Sequence, residues 1–175
     1  MRFPCMIVIF MMTLAVVNAQ STRDREKHIR DSIYKENIKK TRIYGIYIPK
    51  NLEEAFGELD ELSEEKDRRK FQMADEKTVA KKLHFGLGRW MSYNWQFEFG
   101  SRFTVYLNKL GLYHPDDIIQ FMLISYHRYL NKRPLDTEIL VKELLEKRKK
   151  EEEERKKQNS ETISTIQVIK KDSIR

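Results

Sequence analysis

The side chains best suited to acid–base chemistry lie in two short stretches, 84–103 and 114–117. Imidazole and carboxyl groups exchange protons near neutral pH, and together they can also hold a metal ion. The candidates are one histidine that opens the first stretch and three residues of a His-Pro-Asp-Asp run: His84, His114, Asp116 and Asp117. No His-x-x-x-His or paired-cysteine spacing accompanies them, so the sequence predicts neither a metal site nor a cofactor.

The same stretches hold polar side chains within apolar sequence, where a charge is costly unless it is paired. We expect Arg89 or Arg102 to form a salt bridge with Asp116 or Asp117, which would join the aromatic stretch to the next helix. If these groups instead face a ligand, six residues form the predicted contact surface: Arg89, Asn94, Trp95, Arg102, His114 and Asp117.

Aromatic rings are concentrated around the first stretch: Phe85, Trp90, Tyr93, Trp95, Phe97, Phe99, Phe103 and Tyr106. Each buried ring removes about 150–250 Å² from water, so we expect most of them to form the core of a small domain. Trp95 and Phe97 are the candidates for lining a cleft. Gly86 and Gly88 lack the preceding strand of a phosphate-binding loop, so close helix packing is the expected use of these glycines.

Helical spacing of apolar residues dominates the middle of the chain. Caps and breakers divide it into about five short helices, which start near Asn51, Ser63, Asp75, Ser101 and Pro115. Gly111 suits a left-handed helix end. The fifth helix is apolar around most of its circumference, which predicts a buried central helix ending near Asn131. His127 is expected to face solvent on this helix.

The chain is therefore predicted to be all-α, with one small helical bundle over residues 43–133 that opens with a short extended segment, IYGIYIPK. Residues 20–42 are interpreted as a basic polar linker in preference to a short surface helix. Residues 134–158 are predicted to form a long charged projecting helix, supported by Glu-before-Lys pairs at i,i+4. Residues 159–175 are predicted to be disordered, or alternatively to add an edge strand beside 43–48.

The first nineteen residues have the features of a secretory signal peptide: Arg2, an apolar run and Val17-Asn18-Ala19 before the expected cleavage point. The apolar run is about 12 residues, short of the roughly 20 that cross a bilayer, so an uncleaved anchor is the weaker alternative. Cys5, the sole cysteine, lies in this leader. We therefore expect an exported protein, periplasmic or extracellular, with neither a thiol nor a membrane span after cleavage.

The net charge of +7 is not evenly distributed. Lys plus Arg against Asp plus Glu is 8 against 4 in residues 20–42 but 14 against 13 in residues 43–133. The predicted folded part is nearly neutral, which argues against a nucleic-acid partner.

Several motifs follow one another over residues 46–131: an Ile-Pro-Lys segment before an acidic helix, a Gly-rich Trp segment, Ser-Arg, a Leu-Gly turn, His-Pro-Asp-Asp and Ser-Tyr-x-Arg-x-Leu-Asn. In these motifs the chain resembles an uncharacterised bacterial family of domains of unknown function, found in exported and cytoplasmic proteins. The resemblance implies a shared fold and no particular reaction. It implies these signature positions: Trp90, Asn94, Trp95, Ser101, Arg102, His114, Pro115, Asp116, Asp117, Tyr126 and Asn131. The family often has Arg-Asn before the Asn/Trp pair and Gly-Leu-Trp after it, whereas this chain has 91–93 as MSY and 96–99 as QFEF.

Three functions fit these features. The preferred one is a non-enzymatic binding or interaction module for a protein or envelope ligand. The second is a hydrolase-like or metal-assisted enzyme that uses the His/Asp set. The third, an immunity-type protein that binds a toxin, is selected by nothing in the sequence. Convergence of the His/Asp set in an open cleft would favour the enzyme, and separation by packed rings would favour the module.

Overall fold

The structure, a computed structural model, describes the backbone of residues 22–172 and the side chains of residues 22–162. The predicted signal peptide, residues 1–19, lies outside the described residues. Within the described part the chain forms eight α-helices, one π-helical turn and a two-stranded hairpin. The prediction of a small all-α protein is confirmed.

Helix α1 occupies residues 22–37, where the sequence analysis favours a linker. Most of α1 is exposed, and its docking point lies near its C-terminal end. There the ring of Tyr34 lies so close to Gly100 that a β-carbon on this glycine would overlap the ring. Asn37, the last residue of α1, is buried. A ring that packs on a glycine 66 positions away has no signal in local sequence, which is why the linker interpretation is wrong.

The predicted extended segment is a very short antiparallel hairpin, β1 (Arg42–Ile43) and β2 (Ile46–Tyr47). Tyr44 and Gly45 form its turn, and both have positive φ, 50° and 82°. Two consecutive residues with positive φ are typical of the tight turns that suit the twist of a hairpin. Ile48, which follows β2, is fully buried, so the hairpin is attached to the core at this point.

Three short helices follow: α2 (Leu52–Leu62), α3 (Glu65–Met73) and α4 (Glu76–Lys82). The predicted caps are confirmed for α2 and α4, since Asn51 accepts a hydrogen bond from the Glu54 amide at 2.9 Å and Asp75 accepts one from the Thr78 amide at 3.1 Å. Helix α3 starts without a side-chain cap. It buries only Phe71, so it covers little of its neighbours.

A π-helical turn (His84–Gly88) joins α4 to α5 (Arg89–Asn94). Its defining hydrogen bond runs from the Gly88 amide to the Leu83 carbonyl, five residues back, at 2.9 Å. Gly88 is buried, and a β-carbon there would overlap Ile119. The predicted use of this glycine for close packing is thus observed. The π-helical turn and α5 are therefore elements of the core in addition to the five predicted helices.

Three further helices complete the chain: α6 (Arg102–Lys109), α7 (Pro115–Leu130) and α8 (Thr137–Asp172). Ser101 and Thr104 form a reciprocal capping box at the start of α6. Gly111 has φ +97°, as expected for a left-handed helix end. Helix α7 is the buried central helix that the sequence predicts, and nine of its residues are buried.

Five of the eight aromatic rings pack in or against the core, and three are exposed: Trp90, Trp95, Phe97, Phe103 and Tyr106 pack, whereas Phe85, Tyr93 and Phe99 are exposed. Trp95 is fully buried and meets the ring of Phe103 edge to face, with centroids 5.4 Å apart. Phe97, which is 5% exposed, packs against both of these rings. The expectation that Trp95 and Phe97 line a cleft is wrong, because other rings cover both of them.

Helix α8 continues through the predicted disordered tail to Asp172, and residues 166–168 are helical rather than an edge strand. Its first turns dock on the core through Leu140, Val141 and Leu144, which are buried. Its side chains from Glu146 to Thr162 are exposed except for Arg148. In the described part of the chain we find no helix that combines the length and the apolar composition needed to cross a bilayer.

Candidate functional site

The predicted His/Asp set lies at one edge of an open polar groove between the start of α7 and the middle of α8. The groove encloses about 640 Å³ and has mostly charged and amide side chains around it: His84, His114, Asp116, Gln120, Arg148, Glu151, Glu154, Arg155 and Gln158. We call this surface the polar groove.

The two histidines face the same carboxylate. His84 Nε2 lies 3.4 Å from Asp116 Oδ1, and His114 Nδ1 lies 3.7 Å from Asp116 Oδ2. Their side chains are not separated by packed rings. His84 is four-fifths buried, whereas Asp116 is 55% exposed. The convergence that the enzyme hypothesis requires is therefore observed for three of its four residues.

The fourth residue, Asp117, is engaged by α8. Arg148 donates from Nη2 to Asp117 Oδ1 at 2.7 Å and from Nε to Oδ2, which makes a two-pronged ion pair. This hydrogen bonding raises the pKa of Arg148. The carboxylate is 5% exposed, and it lies in the first turn of α7, where the helix dipole also stabilises negative charge. Asp117 is thus an anchor for α8.

His114 has a structural role in the same network. Its Nδ1 accepts hydrogen bonds from the Asp116 amide at 3.2 Å and from Arg148 Nη2 at 2.8 Å. An arginine can only donate, so Nδ1 carries no proton in this arrangement. His114 therefore caps α7 and helps to hold Arg148, a role that the sequence analysis did not anticipate.

The predicted salt bridge from Arg89 or Arg102 to Asp116 or Asp117 is wrong. Arg102 instead donates from Nε to the Ile48 carbonyl at 2.6 Å, lies 3.5 Å from Glu54 and stacks over the ring of Tyr47. It joins α6 to the hairpin and α2. The correct partner of Asp117 is Arg148, 31 positions along the chain.

The remaining predicted contact residues do not share a surface. Arg89 is exposed, and within the described part of the chain it makes no ion pair. Asn94 donates to the Trp90 carbonyl at 2.9 Å and so helps to end α5. Trp95 is inaccessible in the core. Of the six predicted contact residues, the structure brings only His114 and Asp117 together.

His127 faces Ala74 rather than solvent. It is 5% exposed, and Nε2 lies 2.9 Å from the Ala74 carbonyl. Glu76, at the start of α4, packs against the same face of α7. It forms ion pairs with Arg128 and Arg133, each at 3.0 Å. The hydrogen bond from Arg128 lowers the pKa of Glu76. The predicted exposure of His127 is wrong, because helix α4 covers the face of α7 that carries this residue.

A second surface depression, the apolar groove, was not predicted. It is lined by α2, α3, α4, α5, α7 and the π-helical turn, and it encloses about 570 Å³. Its lining is mostly aliphatic and aromatic, with charged and hydroxyl groups at its edges: Leu59, Leu62, Ser63, Asp67, Arg68, Lys70, Phe71, Ala74, Thr78, Val79, Lys82, Leu83, Leu87, Trp90 and Tyr126. The floor is continuous with the core, since Leu59 and Val79 are each 2% exposed.

Two of the three cations at the edge of the apolar groove have partners. Arg68 donates to the Asp60 carbonyl at 2.6 Å, and Lys70 lies 3.2 Å from Asp67. Lys82 is exposed and makes no ion pair among the described residues. The hydroxyl of Tyr126 also donates to Asp60, at 2.8 Å, and burial raises the pKa of this tyrosine. Lys82 is therefore the cation available to a ligand.

One sequence signal points to the apolar groove. Helix α3, EKDRRKFQM, carries six charged residues and only two apolar ones, of which Met73 is 88% exposed. So polar a helix cannot cover the apolar faces of α2 and α4 beside it. The composition of α3 therefore indicates that some apolar surface of its neighbours stays exposed, but it does not indicate which residues form that surface.

In the described part of the chain, no group of three or more His, Cys, Asp or Glu side chains is placed to hold a metal ion.

Residues 48–130 match a family model described as a domain of unknown function (DUF6794). The match covers α2 to α7 in full, and thus the apolar groove and four of the nine residues of the polar groove. No curated protein and no solved structure matches the chain.

Proposed function

We propose that the protein is an exported, non-enzymatic binding module that holds an apolar ligand, or apolar side chains of a partner, in the apolar groove. The observation that carries the proposal is the groove itself: about 570 Å³ of open space with an apolar lining and a few polar groups at its edge. Ligand sites in proteins have volumes of about 300–1,000 Å³ and this composition.

The lining favours binding over chemistry. Among the described residues it contains three hydroxyl side chains, those of Ser63, Thr78 and Tyr126, and no histidine or cysteine. The Ser63 hydroxyl donates to the Leu59 carbonyl, and that of Thr78 donates to Asp75 at 3.3 Å. Ser63 has no general base beside it, which a nucleophilic serine needs. The Asp75 carboxylate beside Thr78 is held as the N-cap of α4 by the Thr78 amide, and Tyr126 donates its hydroxyl to Asp60. The composition of the apolar groove therefore fits recognition of a ligand better than its chemical conversion.

An uncharged apolar probe tests the proposal. Trp90 lines the apolar groove, so binding of a medium-chain alcohol such as decanol is expected to change its fluorescence. Leu62 is 59% exposed at the edge of the groove, and Leu62→Glu is expected to weaken this binding without unfolding the domain. Leu145→Glu is the matched control, because Leu145 is 40% exposed on α8 outside the groove. Equal effects of both substitutions would contradict the proposal.

Export is proposed from the leader, residues 1–19, whose composition is that of a cleavable signal peptide. Expression of the full-length chain in a bacterium, followed by fractionation and N-terminal sequencing, tests this part. We expect a protein outside the cytoplasm that begins at Gln20. A cytoplasmic product that retains Met1 would contradict it.

A second candidate, general acid–base catalysis in the polar groove, is favoured by the 3.4 Å approach of His84 to Asp116. A carboxylate beside an imidazole orients it for proton transfer. Turnover of an activated ester or phosphoester panel that is lost in His84→Gln, with an unchanged unfolding midpoint, would support this candidate. Turnover that persists in His84→Gln would exclude it.

A further inference from the structure

We infer that the ligand of the apolar groove is an anionic single-chain amphiphile, of which a long-chain carboxylate is the simplest example. The acyl chain lies along the floor of the groove, and the acidic head lies at Lys82. The inference rests on the proposed binding function and adds the ligand's chemical class to it.

The shape of the apolar groove favours a slender ligand. Its floor is formed by side chains that are nearly inaccessible, Leu59 and Val79 at 2% and Phe71 at 8% exposure, whereas Leu62 at its edge is 59% exposed. The deepest apolar surface therefore lies among these floor residues, below the edge. The volume of about 570 Å³ is that of a small-molecule site, so an unbranched chain fits within the groove, whereas a partner helix about 10 Å across could insert only its side chains.

The charge at the edge of the groove favours an acidic head. Lys82 is the last residue of α4 and is itself one of the residues that line the groove. Arg68 and Lys70 are already occupied by Asp60 and Asp67. The net charge of the lining residues, with three cations against one carboxylate, is positive. An ammonium without a partner forms charge-assisted hydrogen bonds with a carboxylate and disfavours a cationic head.

The test compares three series of probes with the same chains: n-carboxylates, n-alcohols and alkyltrimethylammonium ions of 8, 10 and 12 carbons. The concentrations stay below micelle formation, and Trp90 fluorescence of the purified protein reports binding. Each added methylene is expected to tighten carboxylate binding about fourfold while the groove still has room. At equal length, the order of affinity is expected to be carboxylate, alcohol and then cation.

Charge variants assign the head group. Lys82→Gln is expected to weaken carboxylate binding about fivefold, the upper end for an exposed ion pair, and to leave alcohol binding unchanged. Lys81→Gln is the matched control, because Lys81 is the neighbouring exposed lysine but borders a different depression, between α4, α7 and α8. This control is expected to bind every probe as the unsubstituted protein does.

The outcomes distinguish a failure of the proposed ligand class from a failure of the proposed binding function. If alcohols and carboxylates bind equally and Lys82→Gln changes neither, the anionic amphiphile is wrong while the proposed function stands. If no probe of any series binds, and an acid-flanked amphipathic peptide does not bind either, both are wrong. Binding of an acid-flanked amphipathic peptide, with no binding of the carboxylates, would also overturn the inference and identify a protein partner.

Discussion

Replacing Arg148 with methionine is expected to loosen the attachment of α8 and to destabilise the domain. Methionine keeps much of the apolar stem of the arginine and removes the guanidinium. The substitution therefore leaves the Asp117 carboxylate, which is 5% exposed, without its bidentate guanidinium partner. It also removes a donor from His114, the cap of α7.

The structure sets the size of the effect. Removing one partner of a buried ion pair costs about 3–5 kcal/mol. Here the N-terminus of α7 still stabilises the carboxylate by up to about 1 kcal/mol. Arg148 is also 21% exposed, so water already screens part of the interaction. We therefore expect a loss of about 2–3 kcal/mol in the free energy of unfolding, or about 5–10 °C in Tm for a protein of this size.

Urea and thermal unfolding measure this loss, and hydrogen exchange of the α8 amides shows whether the helix detaches first. Lys147→Met is the matched control. It removes the neighbouring cation of α8, whose exposed hydrogen bond to Gln120 spans 2.9 Å, and is expected to cost less than about 0.5 kcal/mol. Equal stabilities of Arg148→Met and Lys147→Met would refute the assignment of Arg148 as the anchor of α8.

Two further substitutions test the packing and the electrostatics of the core. Gly88→Ala places a methyl group against Ile119 and is expected to cost about 1–3 kcal/mol in urea unfolding, whereas Gly86→Ala, with open space at this position, should be neutral or stabilising. The pKa of Glu54 is held at about 2, below its ordinary 4.5, by a hydrogen bond from Lys50, so its ionised form stabilises the fold above pH 4.5. This contribution is lost as the pH falls toward 2. The stability difference between the protein and Glu54→Gln should therefore shrink over that interval, and a constant difference would contradict the ion pair.

The helix starts could be predicted because their signals are local. Asn51, Asp75 and Ser101 each accept a hydrogen bond from an amide three residues later, and this spacing is visible in the sequence. The glycine at the end of α6 and the proline at the start of α7 are equally local. Such features depend on neighbours within one turn and not on the fold.

Long-range partners could not be predicted in the same way. The apolar context of Arg89 and Arg102 predicts one of them as the partner of Asp117, but the partner is Arg148, in the charged helix whose composition predicts a projection into solvent. A single cation that docks has the same local context as the many lysines and arginines around it. The periodicity of α7 predicts that His127 faces solvent, and this prediction fails because periodicity cannot show which other helix covers a face.

The apolar groove is the feature that could be predicted least from the sequence. Its lining comes from five helices and the π-helical turn, and each lining residue fits an ordinary amphipathic face. The groove exists because α3 is too short and too polar to cover the faces beside it. That is a property of how the helices are placed relative to one another.

The π-helical turn has a consequence for the spacing of residues along the chain. It acts as a one-residue insertion in a helix that would otherwise pass from α4 into α5. One residue corresponds to about 100° of rotation around a helix axis. A deletion within 84–88 would therefore turn α5 by that angle and take the indole of Trp90 away from the apolar groove. The number of residues in this turn, as much as their identity, sets which side of α5 faces the groove.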